Sequence, residues 1–112
     1  MARVSVIVPT YNRVGYLEEA VASILSQDYH DFELVVADNA STDGTAGLLA
    51  DVTDPRLRHV RRPHNIGWRA NFNQSLHDTD AEYVALVSDD DRLLPANERC
   101  PLGAAGIRIG RN

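Results

Sequence analysis

Tyr83-Val-Ala-Leu-Val-Ser-Asp-Asp-Asp91 drives a continuous apolar run straight into three consecutive carboxylates. A run this short and this rich in valine reads as a buried strand, because a strand covered on both faces stays apolar without alternating. Three adjacent acids repel one another unless something cationic sits among them. At the C-terminal end of a strand in an open α/β sheet, where such folds place their ligands, they suit a divalent cation that in turn holds a diphosphate. The competing reading of the same residues is a solvated acidic turn, and the rest of the chain has to decide.

Upstream, Val4-Ser-Val-Ile-Val8 is a second apolar run, ended by Pro9 and followed by the loop Thr10-Tyr11-Asn12. From Val14 to Gln27, Leu17, Ala20, Val21, Ile24 and Leu25 recur at helical spacing, with Glu18 and Glu19 near the start, where the helix dipole favours anions. Phe32 to Ala37 is another strand, and Asp38-Asn-Ala-Ser-Thr-Asp-Gly44 is a polar loop of turn and capping residues. A short helix follows from about Thr45 to Asp51. Arg56-Leu-Arg-His-Val-Arg61 alternates at period two, as a half-exposed or edge strand does. After Asn65-Ile-Gly the spacing predicts a helix from about Trp68 to His77, with Ala70, Phe72 and Leu76 as partial core positions. Glu82 to Val87 is the fourth strand. The order β-α-β-α-β-α-β predicts an α/β fold, a mostly parallel sheet with right-handed crossovers and helices on both faces. Residues 1–95 form this unit. Residues 96–112 carry Pro101, Gly103, Gly106 and Gly110, with only Ile107 and Ile109 alternating, and are predicted to be an irregular tail.

Composition narrows the function. At 112 residues and 44% hydrophobic content, the chain can bury one modest core. A net charge of -5, with no basic run longer than Arg61-Arg62, argues against nucleic acid as a partner. The lone Cys100 excludes an internal disulfide, and no apolar stretch is long enough to span a membrane or serve as a signal core, which predicts a cytoplasmic protein. Every basic residue of the Lys+Arg count is an arginine. That removes a P-loop phosphotransferase, whose lysine grips phosphate, and a phospho-accepting receiver domain, which needs a lysine beside its aspartate. The first strand leads into Pro-Thr-Tyr-Asn rather than a Gly-x-Gly-x-x-Gly turn, so dinucleotide binding fails as well.

In a parallel sheet the strand C-termini share one edge, so Thr10-Tyr11-Asn12, Asp38-Asn39 and Ser88 to Asp91 converge across strands about 4.8 Å apart. Tyr11 offers an aromatic face to a base, and Asp38 or Asn39 can bond a ring imide or ribose hydroxyl. The bland alternative is a turn tyrosine with Asx caps. Ser41 and Asp43 read as capping residues. Arg69 and Arg13 are candidates for the diphosphate, against a reading as solvated surface arginines. Trp68 either packs in the core, the preferred reading, or walls a pocket. His30, His59, His64 and His77 lack metal-ligand spacing and read as structural or exposed. Arg56, Arg58, Arg61 and Arg62 read as a solvated basic edge.

Four segments in order resemble the N-terminal part of a family 2 glycosyltransferase of the GT-A fold: Val4-Ser-Val-Ile-Val-Pro-Thr-Tyr-Asn-Arg13, Phe32 to Thr45, Asn65-Ile-Gly-Trp-Arg-Ala-Asn-Phe-Asn73, and Glu82 to Pro95. They cover nearly all of residues 3–95, and it is their shared order and spacing that makes the match specific. The resemblance implies a Rossmann-like nucleotide-sugar site. Thr10, Tyr11, Asn12, Arg13, Asp38, Asn39, Asn65, Arg69 and Asp89 would contact the nucleotide sugar, Tyr11 on the base and Asp38 and Asn39 on base or ribose. The family's Asp-x-Asp element falls on Ser88 to Asp91, with Ser88 where many members carry aspartate. It places Mn2+ or Mg2+ chiefly on Asp90, assisted by Asp91, with Asp89 toward the ribose or the cation's outer ligands. Tyr11 and Asp38 point to a uridine nucleotide, with thymidine and guanosine donors open.

The reaction so implied is inverting transfer to an acceptor hydroxyl, helped by a carboxylate base that the family places downstream of the Asp-x-Asp element. Glu98 is the one carboxylate in residues 96–112 and is not nominated for that role. The expectation is therefore a donor-binding half without its acceptor half, either part of an enzyme or a truncated remnant that binds nucleotide without turnover. An uncovered sheet edge would then favour a homodimer.

Overall fold

The computed structural model describes residues 3–27, 31–90 and, as backbone, 108–111. Asp91, Glu98, Cys100 and His30 lie outside these residues. The elements in chain order are β1 (Val4–Thr10), α1 (Val14–Leu25), β2 (Phe32–Asp38), α2 (Thr45–Ala50), β3 (Leu57–Arg61), α3 (Trp68–His77), β4 (Tyr83–Leu86) and β5 (Arg108–Arg111). They build one sheet in the order β3-β2-β1-β4-β5, with the first four strands parallel and β5 antiparallel on β4.

β1 and β2 lie inside the sheet, so both their faces are covered, and the apolar runs that form them have no reason to alternate. One face packs Val6, Val8, Leu34 and Val36 against Leu17, Val21 and Ile24 of α1 and Leu49 of α2. The other packs Ile7, Val35, Ala37 and Val84 against Phe72 and Leu76 of α3. Helices therefore cover both faces, as the sequence predicts. β3 is an outer strand, which is why none of its residues is fully buried: Leu57, His59 and Val60 are half-buried and Arg58 and Arg61 exposed.

Two features depart from the sequence reading. The C-terminal stretch expected to be irregular supplies β5, which pairs residue by residue with β4 from Tyr83↔Arg111 to Leu86↔Arg108. The backbone groups along the outer side of β4 need partners, and a short strand returning antiparallel supplies them. The arginines around β3 are also not a solvated edge. Arg56 pairs with Asp54 at 2.7 Å and lies over the Phe32 ring at 4.7 Å, and Arg58 meets Glu33 at 3.0 Å. Arg61 reaches Asp38 at 3.3 Å, and Arg62 is buried beneath α3. Among the described residues, no helix is long and apolar enough to cross a membrane.

Candidate functional site

The parallel register brings the C-termini of β1, β2 and β4 to one edge. Asn39 N–H donates to Thr10 O at 2.9 Å, which locks the first two loops together just past the strands. Asn12 takes a left-handed backbone, φ 52°, a conformation asparagine tolerates better than most residues. Its Oδ1 accepts from the Thr42 amide at 2.7 Å and the Asp43 amide at 3.3 Å, while its own N–H donates to Ser41 Oγ. Asn12 thus braces loop against loop. Asp43 accepts from the first amides of α1 and α2, Val14 N at 3.1 Å and Thr45 N at 3.0 Å, so it caps both helices.

A cavity of about 560 Å3 opens at this edge, lined by Pro9, Thr10, Tyr11, Arg13, Asn39, Trp68, Asn71, Leu86, Ser88, Asp89 and Asp90. Its acidic end is tightly arranged. Thr10 Oγ1 donates to Asp89 Oδ2 at 2.9 Å in a buried contact, and Ser88 Oγ donates to Asp90 Oδ1 at 2.6 Å. Each hydroxyl fixes one oxygen of its carboxylate. The other oxygens converge on a single guanidinium, Arg13 Nη1, at 3.8 Å for Asp89 Oδ1 and 3.3 Å for Asp90 Oδ2. Burial raises the Asp89 carboxyl above its ordinary value, only partly offset by the Thr10 hydroxyl and Arg13. Asp90, in solvent, is lowered by the Ser88 hydroxyl and by Arg13. The two neighbouring acids are thus shifted in opposite directions.

Asp38 lies behind the cavity and bonds as the Asx-cap alternative anticipates. Its side chain is fully buried, Oδ1 accepts from the Ser41 amide at 2.9 Å, and Oδ2 meets His59 Nε2 at 3.0 Å and Arg61 Nη1 at 3.3 Å. Burial opposes its ionisation, but the hydrogen bonds from Ser41 and His59 outweigh that and leave the carboxyl below its ordinary value. Asp38 is not among the cavity-lining residues, and neither are Asn12, Asn65 and Arg69. Asn65 instead accepts from Asn39 Nδ2 at 2.8 Å, and Arg69 is exposed on α3.

Asn71 and His59 were not legible as site residues, and for Trp68 the pocket-wall alternative holds rather than the preferred core reading. Trp68 is 65% exposed and walls the cavity rather than packing in the core. Asn71 is buried, donates to Ala37 O at 2.8 Å and accepts from Arg62 Nε at 2.9 Å, fastening α3 over the sheet. His59 is the partner of Asp38; the available signal was that β3 sets His59 and Arg61 two residues apart, on one face, beside a strand ending in a buried acid.

The sequence profile of glycosyl transferase family 2 matches residues 5–98, most of the chain. This chain belongs to glycosyl transferase family 2. Among its relatives is the GalNAc(5)-diNAcBac-PP-undecaprenol beta-1,3-glucosyltransferase of Campylobacter jejuni, 37% identical over 97 residues, which cover 84% of this chain and 31% of that protein. Among solved structures it is similar to the mannosyltransferase PcManGT of Pyrobaculum calidifontis in complex with GDP-Man and Mn2+, with TM-score 0.74 and 37% identity over 81% of this chain and 28% of that one. TarS 1-349 of S. aureus in complex with UDP-GlcNAc gives TM-score 0.74 and 33% identity over 83% of this chain and 28% of that one. The chain thus spans about a third or less of the length of the curated relatives it matches, and its four parallel strands and helices are of the GT-A type.

Proposed function

We propose that this chain binds a nucleoside-diphosphate sugar through a divalent cation, as the donor-binding part of an inverting sugar transferase. The observation that carries this reading is the cavity at the sheet's C-terminal edge, which joins aromatic and apolar walls to a pair of oriented carboxylates. The two convergent oxygens of Asp89 and Asp90, already satisfying one cationic group, fit a hard cation such as Mn2+ or Mg2+. Among the described residues no cluster of three or more His, Cys, Asp or Glu side chains could hold a metal. Diphosphate and water oxygens would complete the set, as they do for Mg2+ held by one or two carboxylates.

When bound, the cation supplies charge neutralisation for the diphosphate leaving group. The chain's own residues do the rest of the binding. Thr10 and Ser88 keep the carboxylates turned toward the cavity, Tyr11 offers its half-exposed ring to the base, and Arg13 is the guanidinium within reach of phosphate oxygens. Asn39 Nδ2 gives one N–H to Asn65 and keeps the other for a base or ribose oxygen. Asp38 acts from behind the wall, holding the loop that carries Asn39 and Ser41. Donor binding is the part of the reaction that this site accounts for.

Calorimetric titration of UDP, GDP and dTDP, with Mn2+ and again with chelator, tests this on wild type and Asp90→Ala. The expected result is metal-dependent binding of at least one nucleotide, weakened tenfold or more in Asp90→Ala. A folded protein that binds none of the three would refute the reading.

A further inference from the structure

We infer that Trp68 is a second aromatic wall of the donor site and stacks, with Tyr11, on the nucleobase. The inference rests on the donor-binding reading and deepens it.

Trp68 is 65% exposed, more than Tyr11 at 45% or Tyr16 at 59%, although an indole is among the side chains that gain most from burial. It opens α3 directly after Gly67, whose φ of +86° is a backbone conformation that glycine adopts readily and side-chain-bearing residues do not. The helix behind it is fixed: Asn71 donates to Ala37 O at 2.8 Å, and Arg62 bonds Asn71, Ser75 and Asp78. A large apolar ring is therefore held out toward solvent on a rigid support, the arrangement a binding residue needs.

The cavity lining combines two chemistries. Trp68 and Tyr11, with Pro9 and Leu86, supply flat and apolar surface, whereas Asp89, Asp90 and Arg13 supply charge. A ligand that matches both carries an aromatic ring and a metal-bound polyanion, which describes a nucleoside diphosphate. Stacking tolerates any base because each has a π face, so this wall adds affinity without choosing between uracil and guanine.

Trp68 is the sole tryptophan of the chain, so intrinsic emission reports on this residue alone. The test titrates UDP, GDP and inorganic pyrophosphate in the presence of Mn2+, following emission and heat in parallel, and repeats the calorimetry on Trp68→Ala and Trp68→Phe. Saturable quenching by a nucleotide that binds, none by pyrophosphate, a loss of about tenfold or more in nucleotide affinity in Trp68→Ala, and recovery in Trp68→Phe are expected. Nucleotide heat with unchanged emission, equal quenching by pyrophosphate, or wild-type affinity in Trp68→Ala would overturn the assignment while leaving the donor site standing. Absence of nucleotide heat in the wild type would remove the donor reading itself.

Discussion

The guanidinium of Arg13 meets the carboxylate of Asp90 at 3.3 Å and lies 3.8 Å from that of Asp89, so one side chain spans both acids. Arg13 has to leave those oxygens before a divalent cation can take them. Because Arg13 and Asp90 are each about half exposed, the pair contributes on the order of 0.7 kcal/mol. In the absence of nucleotide, Arg13→Ala should bind Mn2+ about threefold tighter than wild type, a factor that follows from that energy. Paramagnetic titration of free Mn2+ reads this directly, and equal affinities would show that the guanidinium does not compete.

Thr10 is nearly buried, and its hydroxyl is the hydrogen-bond donor to the buried oxygen of Asp89. Thr10→Val keeps the shape and removes the donor, leaving a buried carboxylate oxygen short of a partner. The expected cost is about 2 kcal/mol in urea unfolding. Metal-dependent nucleotide binding should also weaken, since Asp89 loses the contact that orients it. Wild-type stability together with wild-type binding would mean that water replaces the hydroxyl without penalty.

The buried Asp38 carboxylate gives the fold a pH dependence whose sign can be stated. Its folded-state carboxyl lies below the ordinary 3.8 because Ser41 and His59 outweigh burial. The unfolded chain takes up this proton near 3.8 while the folded chain still resists it, so the contribution is complete above that pH and is lost as the pH falls below it. Asp38→Asn should be about 2 kcal/mol less stable than wild type at pH 6. The gap should narrow as urea unfolding is repeated at pH values below 3.8. A gap that stays constant would assign the loss to geometry rather than charge.

Strands and helices were legible because their apolar spacing is local: Val4 to Val8 and Phe32 to Ala37 are apolar throughout because both faces are covered. The acidic end of the cavity was legible for the same reason, since topology alone carries Ser88 to Asp90 to the edge that holds Thr10. Charge partnerships across strands were not. Asp38 finds His59 and Arg61 on β3, 21 and 23 residues further along the chain, so no local spacing announces the pairing. The inner positions of α3 include Asn71 and Ser75, so its periodicity is faint and does not decide between the core and pocket-wall readings of Trp68. β5 depends on pairing with the distant β4 rather than on its own composition.

Those polar inner positions of α3 make Arg62 the residue on which the helix depends. Arg62 is 7% exposed; Nε donates to Asn71 Oδ1 at 2.9 Å, while Nη2 donates to Ser75 Oγ at 2.9 Å and Asp78 Oδ2 at 3.1 Å. A guanidinium reaches all three because its donors are fixed in one plane, a fork that an ammonium cannot reproduce. Arg62→Ala leaves these acceptors facing a void and should cost about 3 kcal/mol, with Arg62→Lys recovering little of it. Arg58 pairs with Glu33 in a more exposed setting, so Arg58→Ala should cost about 0.5 kcal/mol and serves as the control. Urea unfolding of the three variants separates a buried anchor from a generic loss of positive charge, since the second account makes Arg62→Ala and Arg58→Ala alike and Arg62→Lys silent. The first also predicts that Arg62→Ala loosens the start of α3 and broadens the emission of Trp68, which Arg58→Ala leaves unchanged.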